Sequence, residues 1–371
     1  MLWKKKPKKP LPKKVLIVGA GTTGLTSAFE LARRGIVPQV IDAKNEIAPT
    51  ARATGVSVRS LELLEDSGVT PLLIAAGIKV KYAKITGEEC KGLKLDFNDL
   101  PHKYNFLLCL PQNRTEAVMQ KRFEELGGNV QYRTKLISLT KKKDGTIDAV
   151  MERDGKRLTE TFNAVIGADG VNSRVRQDMG VKLTEHVYPD KWSAAEFDSK
   201  DWPRSGDEIQ YFLGKGGSFA VVVPLGGDRY RAVANTPDAM SCISVKHTVD
   251  KLHFNNAFAV SVRHVDTYQK GNIFLAGDAA HAYPPAGVQG GMNLGIKDAC
   301  SLARRIAEDD TKGYTKERRK EAEATISQAR MMVSIAGMKN AFMKSARNRT
   351  VAIATHIKAI KKQILKKSLG A

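Results

Sequence analysis

A short aliphatic run, Val15-Leu16-Ile17-Val18, passes directly into Gly19-Ala20-Gly21-Thr22-Thr23-Gly24, and no other feature constrains the fold as tightly. The run reads as a strand buried on both faces of a parallel sheet. Behind the glycines, Leu25, Ala28, Phe29 and Ala32 recur at helical spacing until Gly35 stops them. Gln39-Val40-Ile41 then reads as a second strand ending in Asp42, 21 residues beyond Gly21. Strand, GxGxxG, helix, strand and acid in this order make a dinucleotide-binding unit. The first glycine allows the tight turn, the second lets the backbone approach a pyrophosphate, and the third lets helix and strand pack closely. The helix N-terminus offers unpaired N–H groups to phosphate charge, and Asp42 can accept hydrogen bonds from ribose hydroxyls. This unit alone leaves FAD and a nicotinamide dinucleotide both open.

Two later segments carry the same kind of turn. Ala164-Val165-Ile166 reads as a strand running into Gly167-Ala168-Asp169-Gly170, with Asn172 and Ser173 suited to cap a following helix. Ile273–Ala276 reads as a strand running into Gly277-Asp278. A loop rich in proline and glycine follows, Pro284-Pro285-Ala286-Gly287-Val288-Gln289-Gly290-Gly291-Met292-Asn293. Apolar positions 292, 296, 299, 303 and 306 then step at helical spacing.

With these three turns in order, the chain resembles the FAD-dependent aromatic hydroxylases, the single-component flavoprotein monooxygenases typified by para-hydroxybenzoate hydroxylase. Leu110-Pro111-Gln112-Asn113-Arg114-Thr115-Glu116 resembles the family's glutamine-containing helix start, and Arg52-Ala53-Thr54-Gly55 its arginine loop. Arg263 and Tyr268 resemble the lead-in to the Gly-Asp turn, and Tyr314 to Arg318 the start of the C-terminal helices. The resemblance implies an α/β fold: a Rossmann-like FAD-binding domain of the GR2 type, an inserted mixed β-sheet substrate domain and C-terminal helices. The expected boundaries are a basic tail over 1–14, a discontinuous FAD-binding domain over 15–78, 103–183 and 266–310, a substrate domain over 79–102 and 184–265, and C-terminal helices over 311–371.

The resemblance also implies the site. Gly19, Gly21, Gly24 and Asp42 hold the ADP half of FAD, and Asp278 after Gly277 bonds the ribityl chain. Arg52, Gln112, Asp169, Gly290, Met292 and Asn293 complete the cofactor contacts, while Pro284, Pro285 and Gly287 shape the flavin site by backbone. The helix after this loop aims its positive end at the pyrimidine side of the flavin, where reduced flavin is anionic. Val288 stands where the family has a glycine, and the loop is one residue longer. The implied activity is NAD(P)H- and O2-dependent hydroxylation of an aromatic or other electron-rich small molecule through a C4a-hydroperoxyflavin. An alternative of the same fold is a flavin-dependent reductase or dehydrogenase acting on a quinone or isoprenoid. Tyr211 and Phe219, on strands of the substrate part, are candidates for the substrate pocket.

Charge bears on partners. Of the 21 excess positive charges, 16 lie in residues 1–14 and 339–371, which contain no acid. Ile353, Ile357, Ile360 and Ile364 step along one helical face with lysines around them. These basic ends suit peripheral association with an anionic membrane, or a helix packed on its own protein with solvated lysines. They motivate a reading of another class, a degenerate flavin fold serving as a membrane- or nucleic-acid-associated binding module; of the two, nucleic acid is the less expected. Four scattered cysteines form no CxxC pair, which points to a reducing, cytoplasmic setting. The seven histidines lack metal-site spacing, so no metal is expected. His281 is expected to orient the loop behind Gly277-Asp278.

Overall fold

The computed structural model describes residues 14–48, 54–87, 90–203, 206–283 and 290–336, with 362, 363, 365, 366, 369 and 370 near the end. At its centre lie four parallel strands: β1 (Val15–Val18), β2 (Gln39–Ile41), β3 (Ala164–Gly167) and β4 (Ile273–Leu275). The six-stranded sheet runs Gln269–Lys270, β4, β3, β1, β2, Val130–Gln131, and only the first pairing is antiparallel. Every residue of β1, β3 and β4 is buried, which is why these strands read as unbroken apolar runs rather than alternating ones. The register pairs Val18 with Gly167 and Gly167 with Leu275. The three glycine–acid turns therefore leave one edge of the sheet side by side, at the carboxyl ends of adjacent strands. Open α/β sheets bind their ligands at that edge.

Four helices matter to the site. They are α1 (Thr22–Ala32), α2 (Gln112–Glu125), α3 (Gly291–Ala307) and α4 (Tyr314–Ala336). On α1, Leu25, Ala28 and Phe29 are fully buried, and on α3 so are Ile296, Ala299 and Ala303. Burying a leucine, isoleucine or phenylalanine side chain contributes about 1.5–3 kcal/mol, so these stripes fix both helices on the sheet.

A seven-stranded mixed sheet covers this layer. Its order is Lys251–Phe258, Trp192–Asp198, Arg229–Ala234, Phe219–Gly226, Glu208–Leu213, Tyr82–Gly87, Cys90–Asp96. Only Glu208–Leu213 and Tyr82–Gly87 pair in parallel. Side chains alternate between its faces. Ile209, Tyr211, Val221 and Val223 pack on the core of the parallel layer, while Phe197, Trp202, Phe212, Val222 and Tyr230 form a second core. Residues 236–257 look nearly featureless in sequence, yet the edge strand Lys251–Phe258 begins there. None of its residues is buried, so few apolar positions mark it.

The basic stretch 1–13 and the isoleucines 353, 357, 360 and 364 lie outside the described residues. Near the C-terminus, Leu365 and Leu369 are fully buried against the main core, and the Arg59 N–H donates to the Gly370 carbonyl at 3.2 Å. Lys362 and Lys366 are exposed. No helix among the described residues is long and apolar enough to cross a membrane.

Candidate functional site

The first turn is built by close approach. Gly19 has a φ of +103°, and a Cβ there would lie 2.3 Å from the Ala168 carbonyl oxygen; one on Gly24 would lie 1.8 Å from the Gly19 carbonyl oxygen. Neither position admits a side chain. Gly21 is different, because a Cβ there would meet only Glu116 Oε1, at 3.7 Å. Gly21 caps α1 without a side-chain hydrogen bond. Asp42 braces the turn: its Oδ2 accepts the Ala20 N–H at 2.7 Å and its Oδ1 the Lys44 N–H at 2.8 Å. Each oxygen keeps a lone pair for a ligand.

Sequence reasoning missed Glu116. Its buried Oε1 accepts the Thr22 N–H at 3.2 Å, the Thr22 hydroxyl at 3.3 Å and the Gln112 side-chain amide at 2.8 Å. A carboxylate at the N-terminus of α1 is favourable to the helix dipole. Gln112, expected at the cofactor, anchors that carboxylate. The four-residue spacing of Gln112 and Glu116 on one helix face was the available signal.

In the second turn, Asp169 serves its own loop. Oδ1 accepts the Ser173 hydroxyl at 2.5 Å, and Oδ2 accepts the N–H groups of Arg174 and Val175 at 2.7 and 3.2 Å. Burial pushes its carboxyl above the ordinary range, against the pull of those bonds. Arg176, which the sequence did not single out, straps this turn to the third: its guanidinium donates to the Ala279 carbonyl at 3.0 Å and the Val171 carbonyl at 2.8 Å.

In the third turn, Gly277 is buried while Asp278 is exposed. A Cβ on Gly291 would lie 3.1 Å from Asp278 Oδ1, so the carboxylate stands at the start of α3. Gly290 caps α3 without a side-chain hydrogen bond, and a Cβ on it would meet nothing within 4 Å among the described residues. Met292 and Asn293 point inward. Asn293 Oδ1 accepts the Ser57 N–H at 2.9 Å and the Ser60 hydroxyl at 2.8 Å, and its amide donates to the Gly55 carbonyl at 2.9 Å. Asn293 thus ties α3 to the segment that follows Arg52. Arg52 itself, Pro284, Pro285 and Gly287 lie outside the described residues.

Behind the third turn, Asp298 of α3 is fully buried and accepts from the Gly277 N–H (2.9 Å), His281 Nε2 (2.7 Å) and Arg318 Nε (2.6 Å). Burial alone would raise this carboxyl; Arg318, His281 and the Gly277 N–H outweigh it and hold it down at about 2.

On the covering sheet, Tyr211 is half-buried on the face toward the parallel layer, and burial pushes its hydroxyl up to about 12. Phe219, the other pocket candidate, is buried. It is 7% exposed and packs edge-on against Trp192, with ring centroids 5.4 Å apart, in a small cluster that includes Val260. Its register explains this, since Phe219 pairs with Leu213 at the end of both strands, where the sheet has its own satellite core. The sequence also missed Arg231, buried and ion-paired to Glu196, with its Nη1 3.5 Å from the Thr54 hydroxyl. It opens an otherwise apolar strand segment, Arg231-Ala232-Val233-Ala234, which was the sign to read. With Pro111, Asn113, Arg114 and Phe254 it lines a cleft of about 770 Å³ where the covering sheet meets the start of α2.

Two glycine-capped helix N-termini, one with only Glu116 near its glycine and the other with an exposed carboxylate beside it, fit an elongated ligand with an anionic centre and a hydroxylated arm. FAD has that chemistry.

Comparisons with known proteins agree. The family model described as an FAD binding domain matches residues 13–241 and 239–329. Pentachlorophenol 4-monooxygenase of Sphingobium chlorophenolicum is 32% identical over 312 residues, 79% of this chain and 58% of that protein. 6-Methylpretetramide 4-monooxygenase of Streptomyces rimosus is 31% identical over 321 residues, 82% of this chain and 57% of that one. The chain thus spans less than three-fifths of the length of these two relatives. Among solved structures, p-nitrophenol 4-monooxygenase from Pseudomonas putida DLL-E4 superposes with a TM-score of 0.85 at 20% identity, covering 95% of this chain and 96% of that one. A ternary complex of aklavinone-11 hydroxylase with FAD and aklavinone gives 0.75 at 24% identity, covering 91% and 71%. At these identities the solved structures establish the fold.

Proposed function

From the premise that the chain belongs to the FAD-binding family of para-hydroxybenzoate hydroxylase-like flavoprotein monooxygenases, we propose that it hydroxylates an aromatic or other electron-rich small molecule, with NAD(P)H as reductant and O2 as oxidant. One observation carries this reading: three glycine–acid turns emerge together from adjacent strands of one parallel sheet. A single nicotinamide site would need only the first.

FAD, when bound, would supply the redox chemistry of hydride acceptance and oxygen activation. The chain's own residues bind and orient. Gly21 and the start of α1 would take the pyrophosphate, Asp42 the adenosine ribose and Asp278 the ribityl hydroxyls. The N-terminus of α3 at Gly290 would stabilise negative charge on the reduced ring. Tyr211 and the apolar face around it would hold the substrate ring and exclude water, which protects oxygen transfer from waste as H2O2. The pentachlorophenol and p-nitrophenol relatives favour a phenol-like substrate. Arg52, Pro284, Pro285 and Gly287 remain assigned by resemblance alone.

The test uses purified protein loaded with FAD and a panel of phenols. The expected result is NAD(P)H consumption that a phenol accelerates, with one O2 taken up per NAD(P)H and a hydroxylated product. Consumption that proceeds equally without O2 would replace this reading with a reductase acting on a quinone or isoprenoid. A colourless protein that refuses FAD would leave the binding-module reading.

A further inference from the structure

The Gly277–His281 turn is held from behind by one carboxylate. Asp298 Oδ2 accepts both the N–H that opens the turn, Gly277 at 2.9 Å, and the ring nitrogen that closes it, His281 Nε2 at 2.7 Å. Asp278 lies between these two anchors. The other carboxylate oxygen accepts from Arg318 Nε at 2.6 Å, and Arg318 also donates to Glu321 at 2.6 Å, which pairs with Lys297 at 3.0 Å. Asp298, His281 and Arg318 are each 3% exposed or less. Since an ionised carboxylate only accepts, His281 carries its proton on Nε2. The arrangement joins three elements, the turn, α3 and α4, through one buried ion pair. A hydrophobic substitute of equal volume could supply stability as well or better, so packing alone does not account for a charged group here. A carboxylate does something a leucine cannot: it fixes the direction of two donors at once.

Resting on the FAD reading above, we propose that Asp298 is a positioning residue for the cofactor: by pinning both ends of the Gly277–His281 turn it aims the Asp278 carboxylate, and Arg318 of α4 holds Asp298 in place. Asp298 touches no ligand in this scheme. It acts through Asp278, from a place on α3 about two turns beyond that helix's start.

The experiment measures the FAD dissociation constant of the apoprotein by flavin fluorescence quenching, with the visible spectrum of the bound flavin. Three variants are compared with wild type: Asp298→Asn, Asp298→Asn/Arg318→Met, which strands no buried cation, and His281→Ala, which removes one donor and strands no charge. The control is Phe197→Leu, in the separate core of the covering sheet. Losing a charge-assisted hydrogen bond at the turn is expected to weaken FAD binding about tenfold or more in both Asp298 variants. His281→Ala is expected to weaken it severalfold, with a changed flavin spectrum in all three. Phe197→Leu is expected to lower the melting temperature and leave FAD affinity within about twofold. Unchanged FAD affinity in His281→Ala and the double variant overturns the inference. So does an equal loss of affinity in Phe197→Leu, which would make the effect one of general stability. Wild type that takes up no FAD overturns the proposed function and this inference together; wild type and variants that bind FAD equally overturn this inference alone.

Discussion

The parallel sheet and the seven-stranded sheet above it use polar groups in opposite ways. At the parallel sheet's edge, the polar contacts are mostly backbone N–H and C=O groups ordered by glycines and by a few carboxylates, the buried Asp42, Glu116 and Asp298 and the half-buried Asp169. On the covering sheet, the face toward the ligand is apolar apart from side chains such as Tyr211 and the Arg231–Glu196 pair. Backbone geometry thus sets the first surface, and the choice of side chain sets the second.

Glycine substitutions test the first half of that contrast, and they should give the largest effects. Gly24→Ala places a Cβ 1.8 Å from a backbone oxygen that cannot rotate away. Overpacking of side chains costs about 1–3 kcal/mol, and a clash with backbone should exceed it. The variant is expected to lose FAD entirely and to unfold at markedly lower urea. Gly21→Ala should separate binding from folding. Its backbone is extended and its Cβ meets only Glu116 at 3.7 Å, so stability should stay within about 1 kcal/mol. Its FAD affinity should still fall, because the new methyl would occupy the path proposed for the pyrophosphate. If Gly21→Ala binds FAD as wild type does, the first turn is not where the phosphate sits.

Phe219→Ala tests the second half. As a core residue packed on Trp192, it should cost about 3–5 kcal/mol. FAD retention and KM for a working phenol should hardly move at temperatures where the variant is folded. A large rise in KM at full stability would return Phe219 to the pocket and shift the ligand face toward the end of the strands.

The same contrast explains what could be read from the sequence. Gly19, Gly24 and Gly277 were legible because their positions forbid a side chain, so composition and geometry are locked together. The strands β1, β3 and β4 were legible because burial on both faces leaves an unbroken apolar run. The polar partners were not. Glu116, Arg176, Asp298 and Arg318 are charged residues on helices, and nothing in a helical repeat says which charged position turns inward. Asp169 was recognised as part of a turn, but its partners, the Ser173 hydroxyl and two backbone N–H groups, are set by loop geometry. Phe219 was read as a pocket candidate from its face alone, because alternation tells which face a strand residue occupies and not how far along the sheet the ligand extends.

Acid should expose a difference between the two layers. Asp298 is held at about 2 against an ordinary 3.8, so the folded state keeps it ionised while the unfolded chain takes up the proton first. Its contribution is complete above about pH 4 and is lost as pH falls toward 2, a change of about 2 kcal/mol. Asp198 of the covering sheet is also lowered, first by its hydrogen bond from Arg229 and then by His253, but it is only half-buried and so screened by salt. Urea midpoints across this range in high salt should therefore retain the Asp298 component and lose most of the Asp198 component. Asp298→Asn/Arg318→Met should flatten the salt-resistant part of the slope; a slope as steep as wild type would mean that other carboxylates carry it.

The smallest effect expected is that of Tyr211→Phe, and it bears most directly on the cover. Burial holds the hydroxyl protonated up to about 12, so Tyr211 offers a neutral O–H and no phenolate at working pH. Removing that one oxygen keeps the ring and its packing, and stability should change by less than about 1 kcal/mol. If the tyrosine orients the substrate, KM should rise a few-fold with little change in kcat and none in FAD affinity, since the interaction is made equally in ground and transition states. A fall in kcat with KM unchanged would mean that the hydroxyl acts only as oxygen is transferred, giving the covering sheet a part in the chemistry as well as in selection.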